Sequence, residues 1–154
     1  MNEQGVDFLG SNILTIAEVL MAAFLAVFII LHGMVHLLYF GQSQRYFELQ
    51  PGMNWPDGSW AFSGLLGNDV TRTVASILCV LTAILLVTGG IALFAKWELW
   101  RSIVVGGAVL STVIYLLLWN GKMQGLDNQG FIGILINLAI LTVLLIFRWP
   151  KFEI

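Results

Sequence analysis

The sequence of 154 residues is 58% hydrophobic and only 10% charged, whereas soluble domains carry about 25% charged residues. This composition excludes an ordinary soluble fold. The net charge of −2 argues against a nucleic-acid-binding protein, which would be strongly basic, and the single cysteine excludes an intrachain disulfide. The sequence therefore predicts a membrane protein.

Four long stretches lack Asp, Glu, Lys and Arg, and each contains 20 to 26 residues. A charge is costly at the centre of a bilayer, and about 20 helical residues cross roughly 30 Å of hydrocarbon, so each stretch predicts one spanning helix. The predicted helices cover approximately residues 13–40, 70–95, 101–120 and 128–148. They predict an all-α fold, an integral membrane up-down four-helix bundle that forms a single domain over residues 1–154.

The first loop, residues 41–69, contains turn signals such as Pro51-Gly52. Residues 59–66 are apolar and aromatic but too short to span, which predicts an interfacial helix or a re-entrant segment in this loop. Tryptophan prefers the headgroup level of a membrane. All six tryptophans lie outside or at the edge of a charge-free stretch, so we expect them at the membrane boundary. Asp127 is expected to cap the fourth helix.

Four crossings would place both termini on one side of the membrane, together with the short loop between the second and third helices. That side carries four basic residues, which are Lys96, Arg101, Arg148 and Lys151. The other side carries three. The positive-inside rule therefore favours cytoplasmic termini and an extracytoplasmic first loop.

The two histidines, His32 and His36, lie four residues apart, on one face of the first helix and about one turn from each other. At 1.5 Å per residue, His32 lies about 12 Å below the end of its helix, and Asn137 and Cys79 reach about the same depth in the fourth and second helices. Tyr115 lies slightly shallower in the third helix. These five residues form the predicted pocket.

Two interpretations of this pocket are open. In the first, His32, His36 and Asn137 only form hydrogen bonds between helices. In the second, the pocket binds a lipid, a quinone-like molecule or a metal ion, because ionisable groups inside a membrane are commonly functional. His32 and His36 are the candidate metal ligands, and zinc would also have to recruit Cys79 or a carboxylate of the first loop. Two histidines four apart on one helix cannot reach opposite faces of a haem.

Two segments resemble the small four-helix membrane proteins of bacteria that are loosely grouped as DoxX-like. They are LHGMVHLLYF at residues 31–40 and QGFIGILINLAIL at residues 129–141. The resemblance implies the same topology and a location in the bacterial inner membrane. Some relatives in that group are accessory subunits of membrane oxidoreductases, and the resemblance also implies that His32, His36 and Asn137 are positions to test.

Three functions remain as hypotheses, since the sequence contains no nucleotide-binding loop, nucleophile elbow or HExxH motif. The first is a non-catalytic accessory or structural subunit of a membrane complex, whose partners are other membrane subunits or further copies of the chain. The second is a binder or carrier of a lipid or quinone-like ligand in the predicted pocket. The third is a haem or metal redox subunit.

Overall fold

A computed structural model describes the backbone of residues 3–150 and the side chains of residues 16–150. Within these residues the chain forms helices and no strand, which confirms the all-α class. The elements are, in chain order, α1 (Glu3–Ser43), α2 (Ser63–Phe94), α3 (Trp100–Leu117), a 3-10 turn (Leu126–Gln129) and α4 (Phe131–Leu141), which continues as a π-helix (Thr142–Ile146).

Three helices contain segments that are long and apolar enough to cross a membrane: Ile16–Ser43, Ser63–Phe94 and Trp100–Leu117. These segments mark the chain as a membrane protein with transmembrane helices. The fourth apolar segment, Phe131–Ile146, is shorter than the predicted helix over residues 128–148. It is bounded by two residues with positive φ, Gly130 at 82° and Arg148 at 50°, and an α-helix cannot continue through that conformation. Asp127 lies in the 3-10 turn, and Gly130 occupies the capping position without a side-chain hydrogen bond.

Both ends of α1 extend beyond the predicted residues 13–40. The helix begins at Glu3, because Ser11 and Asn12 cost a helix only a few tenths of a kcal/mol and do not interrupt it. It continues through Gly41 to Ser43. A Cβ at Gly41 would lie 2.5 Å from the ring of Phe47, so this glycine makes room for a loop side chain and does not end the helix.

The helix α2 begins at Ser63, inside the segment that was predicted to be interfacial. One helical turn leads to Gly67, whose φ of 75° and ψ of 166° interrupt the helix before it continues to Phe94. The loop therefore covers residues 44–62, whereas the sequence predicted residues 41–69, because its apolar part joins the helix that follows.

Hydrogen bonds and ion pairs hold the first loop against the ends of three helices. Asp57 accepts from Arg72 of α2 through both carboxylate oxygens, each at 2.7 Å, and pairs with Arg45 after α1 at 2.7 Å. The indole nitrogen of Trp60 donates to the carbonyl oxygen of Leu116 at 2.7 Å. The loop is thus a folded cover over the bundle, fixed to α1, α2 and α3.

Glycines allow the closest contacts between consecutive helices, as expected for packing in a membrane. A Cβ at Gly90 of α2 would lie 2.9 Å from the carbonyl oxygen of Ala26 in α1. A Cβ at Gly89 would lie 2.6 Å from the side chain of Val104 in α3. Gly106 of α3 makes no such contact, because a Cβ there would meet nothing within 4 Å.

Candidate functional site

Four buried side chains form a closed set of hydrogen bonds, which we call the polar cluster: His32, His36, Ser111 and Asn137. His32 Nε2 lies 2.8 Å from Asn137 Oδ1, and Asn137 Nδ2 lies 2.7 Å from Ser111 Oγ. Ser111 Oγ lies 2.7 Å from His36 Nε2, and His36 Nδ1 lies 3.1 Å from the carbonyl oxygen of His32. The cluster joins α1 to α3 and α4.

The partners determine which atoms donate. The carbonyl oxygen of His32 can only accept, so His36 Nδ1 carries the proton and donates to it. A neutral His36 then accepts at Nε2 from the hydroxyl of Ser111, whose oxygen accepts from the amide of Asn137. Asn137 Oδ1 accepts in turn from Nε2–H of His32. With both imidazoles neutral, each of these four hydrogen bonds joins one donor to one acceptor.

Three of the five predicted pocket residues thus come together in the polar cluster. Ser111 is the member that sequence reasoning missed, because a single serine in an apolar helix also fits a role in close helix packing. Its signal was its position one helical turn before Tyr115 in a largely apolar helix. The observed contacts between His32, His36 and Asn137 are those of the first interpretation, in which these side chains hydrogen-bond between helices.

Tyr115 connects the polar cluster to the first loop through a series of aromatic contacts. Its ring centroid lies 5.7 Å from that of His36 and 5.0 Å from that of Tyr39, which lies 5.0 Å from Trp55. Gly130 makes room for the ring, because a Cβ there would collide with Tyr115. The predicted position of Tyr115 beside the histidines agrees with these contacts.

Cys79 is fully buried but belongs to a neighbouring apolar cluster with Met53, Trp55 and Tyr115. It lies beside Tyr115, not among the hydrogen-bonded side chains. Counting residues along a helix gives the depth of a side chain, but the face that it occupies depends on how the helices pack. This is why the count grouped Cys79 with His32.

Tryptophans of the loops differ in exposure. Trp55 belongs to the first loop, but its side chain is fully buried, and its indole nitrogen has no hydrogen-bond partner among the described residues. Trp60 and Trp97 are 62% and 57% exposed. A tryptophan in a loop can therefore serve as a core residue when the loop folds back on the bundle.

The loop carboxylates that a zinc ion would have to recruit are engaged elsewhere. Glu48 accepts from the backbone nitrogen of Gly52 at 2.9 Å, and Asp57 pairs with Arg45 and Arg72. Among the residues that the structure describes, no three His, Cys, Asp or Glu side chains are grouped closely enough to hold a metal ion.

A cavity of about 170 Å³ lies beside Tyr115, between the end of α3 and the start of α4. Its walls are almost wholly apolar, and they include Leu116, Trp119 and Ile134. Gln129 of the 3-10 turn also lines it. The sequence contains no pattern that predicts this cavity, since the cavity forms where a turn and two helix ends meet.

Comparison with family models, with curated proteins and with solved structures gives no match to this chain. Its function is therefore inferred from the contacts of its own residues.

Proposed function

We propose that the chain is a small, non-catalytic membrane protein that serves as an accessory or structural subunit of a larger membrane complex. The polar cluster supports this proposal, because its donors and acceptors bind one another across three helices. Hydrogen bonds of this kind stabilise helix packing in a membrane. The resemblance to the DoxX-like group, which includes accessory subunits, agrees with it.

The N-terminal part of α1 is the observation that carries the proposal. The helix has 41 residues and is therefore about 60 Å long, twice the roughly 30 Å thickness of the hydrocarbon. Ala22 is its first buried residue among the side chains that the structure describes, and residues 16–21 are all exposed. Gly90 of α2 packs beside Ala26, so α2 ends near the level of Ala22 and α1 continues past it.

Apolar residues near the start of this segment form an exposed surface. Ile16, Val19 and Leu20 are between 50% and 64% exposed. Spacings of three and four residues place Ile16 close to Val19 and Leu20 on one surface of the helix. These residues also begin the segment that is apolar enough to cross a membrane, where lipid can cover them, and we propose that a helix of another subunit packs there in place of lipid.

For the topology, we propose an up-down bundle with four crossings in a bacterial inner membrane and with cytoplasmic termini. Packing of Gly33 on Leu86 and of Gly90 on Ala26 supports antiparallel α1 and α2. Arg101, which follows the loop between α2 and α3, donates to the carbonyl oxygens of Arg148 and Pro150. These bonds support a common end for that loop and the C-terminal segment. Lys151, another basic residue of the proposed cytoplasmic side, lies outside the described residues.

Purification at native abundance in a mild detergent tests the subunit proposal. We expect the tagged chain of 17.0 kDa to migrate in a larger complex and to bring one membrane protein with it in fixed ratio. The double variant Ile16→Ser, Leu20→Ser should lose that protein. Ile84→Ser, at a position in α2 that is 57% exposed, should retain it. A chain that always migrates alone at its own mass would contradict the proposal.

A further inference from the structure

The cavity beside Tyr115 has the features of a binding site for a small amphiphile. It is bounded by the last turn of α3 and by the beginning of α4, with Trp119 and Met123 among the residues that line it. These residues come from the end of α3 and the loop after it, near the predicted membrane boundary. The cavity is therefore placed where a molecule from the bilayer could enter.

Gln129 provides one polar atom in this apolar surrounding. The residue is 8% exposed and lines the cavity, and its side-chain oxygen is buried without a hydrogen-bond partner among the described residues. Buried polar atoms in proteins are normally paired, and an unpaired carbonyl oxygen is unfavourable. The oxygen itself is shielded from the cavity, because almost none of its surface is accessible. A rotation of the Gln129 amide towards the cavity would let a hydrogen-bond donor carried by an occupant satisfy it.

The size and polarity of the cavity restrict the occupant. A bound water would need two to four polar partners, and the walls are almost wholly apolar. Drug-sized ligands fill roughly 300–1,000 Å³, whereas a cavity of about 150 Å³ accommodates benzene. The volume of about 170 Å³ therefore fits one six-membered ring or a short hydrocarbon segment. A charged donor would be costly in this surrounding, so a neutral hydroxyl group is favoured.

We propose that this cavity binds the hydroxyl-bearing end of an apolar molecule, a phenol or an alcohol, which donates a hydrogen bond to the side-chain oxygen of Gln129. The site does not involve the polar cluster, and it does not depend on the proposed partner subunit. The molecule comes either from a membrane lipid that carries the hydroxyl group or from a small free phenol or alcohol.

Fluorine NMR with two probes of nearly equal shape tests the proposal. The probes are 4-fluorophenol, which can donate a hydrogen bond, and 4-fluorotoluene, which cannot. Each is titrated into detergent micelles with and without the protein, so that partition into the detergent is subtracted. We expect the phenol to bind about tenfold more tightly than the toluene, the effect of one neutral hydrogen bond. Equal affinities for the two probes would overturn the proposal.

Two variants and a matched control locate the binding. Gln129→Leu should remove the preference for the phenol while binding of the toluene persists. Ile134→Trp should fill the cavity and abolish both. Ile132→Trp, on α4 at a position that is 59% exposed, should bind as the parent does. Circular dichroism establishes that each variant is folded, and a folded Ile134→Trp protein that still binds the phenol would overturn the proposal.

Native mass spectrometry of protein purified from membranes distinguishes the two sources. A single hydroxylated lipid that Ile134→Trp loses and Ile132→Trp retains would identify the membrane as the source. A chain without such a lipid that still prefers 4-fluorophenol would support a small free phenol or alcohol.

Discussion

Asn137 contributes two atoms to the polar cluster, an oxygen that accepts from His32 and a nitrogen that donates to Ser111. An apolar side chain of similar size can do neither. Removing the amide leaves the N–H of His32 without an acceptor and the oxygen of Ser111 without a donor. A buried polar group without a partner is unfavourable. The packing of α4 against α1 and α3 thus depends on this residue.

We predict that Asn137→Leu lowers the free energy of unfolding by about 1–2 kcal/mol, the range that interhelical hydrogen bonds reach in membranes. Reversible unfolding in mixed micelles measures it. Thr142→Val is the control, since the Thr142 hydroxyl bonds only the carbonyl oxygen of Leu138 in its own helix, and its effect should stay below about 0.5 kcal/mol. Equal effects of the two variants would mean that the polar cluster does not stabilise the packing.

Two arginines lower the pKa of Asp57 in the first loop. Partial burial alone would raise the pKa of its carboxyl group, but hydrogen bonds from Arg72 and Arg45 outweigh burial and hold the pKa below its ordinary value of 3.8. A carboxylate with a lowered pKa in the folded state contributes stability that is complete above the unfolded pKa. That contribution is lost as the pH falls through the lower, folded pKa.

We therefore predict that Asp57→Asn is less stable than the parent at neutral pH, by about 1 kcal/mol, and that the difference shrinks as the pH falls below 3.8. Thermal unfolding of both proteins between pH 3 and pH 7 measures it. Asp69→Asn serves as the comparison, because the Asp69 carboxylate is 95% exposed and contributes little. A difference that grew towards low pH would contradict the prediction.

Residue counting predicted part of the site because helical rise converts sequence position into depth. It placed His32 and Asn137 at one level, and they are 2.8 Å apart. It did not predict Ser111 as a member of the cluster, or the separate position of Cys79, because the rotation of each helix about its axis decides which side chains meet. Close contacts between helices set that rotation, and no single helix contains that information.

At the scale of elements, glycines in neighbouring helices differ in what surrounds them. Gly90 approaches the backbone of α1, with the carbonyl oxygen of Ala26 only 2.9 Å from a Cβ placed there. Gly106 of α3 has open space around it. Both belong to adjacent pairs of glycines in apolar helices, so the sequence pattern does not distinguish them. Only the packed structure separates a glycine required for contact from one that is not.

We predict opposite effects for two matched substitutions. Gly90→Ala should force α1 and α2 apart and lower the free energy of unfolding by about 1–3 kcal/mol, the usual cost of overpacking. Gly106→Ala should be neutral or should stabilise by up to about 1 kcal/mol, because alanine favours a helix more than glycine does. Unfolding in mixed micelles measures both. A neutral Gly90→Ala would show that α1 and α2 do not depend on this close approach.

At the scale of the whole molecule, each end of the bundle is closed by contacts that were not visible in the sequence. The first loop covers one end through Asp57 and Trp60. At the other end of α2 and α3, Arg101 donates to the carbonyl oxygens of Leu144, Arg148 and Pro150. Charge-free stretches predicted the helices well, because lipid excludes charge from their surfaces. They could not predict the end contacts. Trp60 and Arg101 donate to backbone carbonyls, which any sequence provides, and Asp57 pairs with arginines from two other segments of the chain.

The short fourth segment determines how many times the chain crosses the membrane. Phe131–Ile146 contains 11 residues of α-helix and five of π-helix, fewer than the roughly 20 residues that a perpendicular crossing requires. A bilayer can thin around a short segment, and flanking side chains can reach the interface, at a modest cost. The bonds from Arg101 to Arg148 and Pro150 tie the end of this segment to the start of α3, so we predict that it completes a fourth crossing.

Labelling of single cysteines in intact cells tests this prediction. In a Cys79→Ala background, Glu98→Cys, Met123→Cys and Arg148→Cys each place one thiol at an exposed position. A membrane-impermeant maleimide should modify Met123→Cys in intact cells and the other two only after the membrane is opened. If Arg148→Cys reacted from the same side as Met123→Cys, α4 would turn back within the bilayer and the chain would cross it three times. Because Arg101 would then have to reach across the hydrocarbon to the Arg148 carbonyl, that result would contradict the hydrogen bonds at this end of the bundle as well.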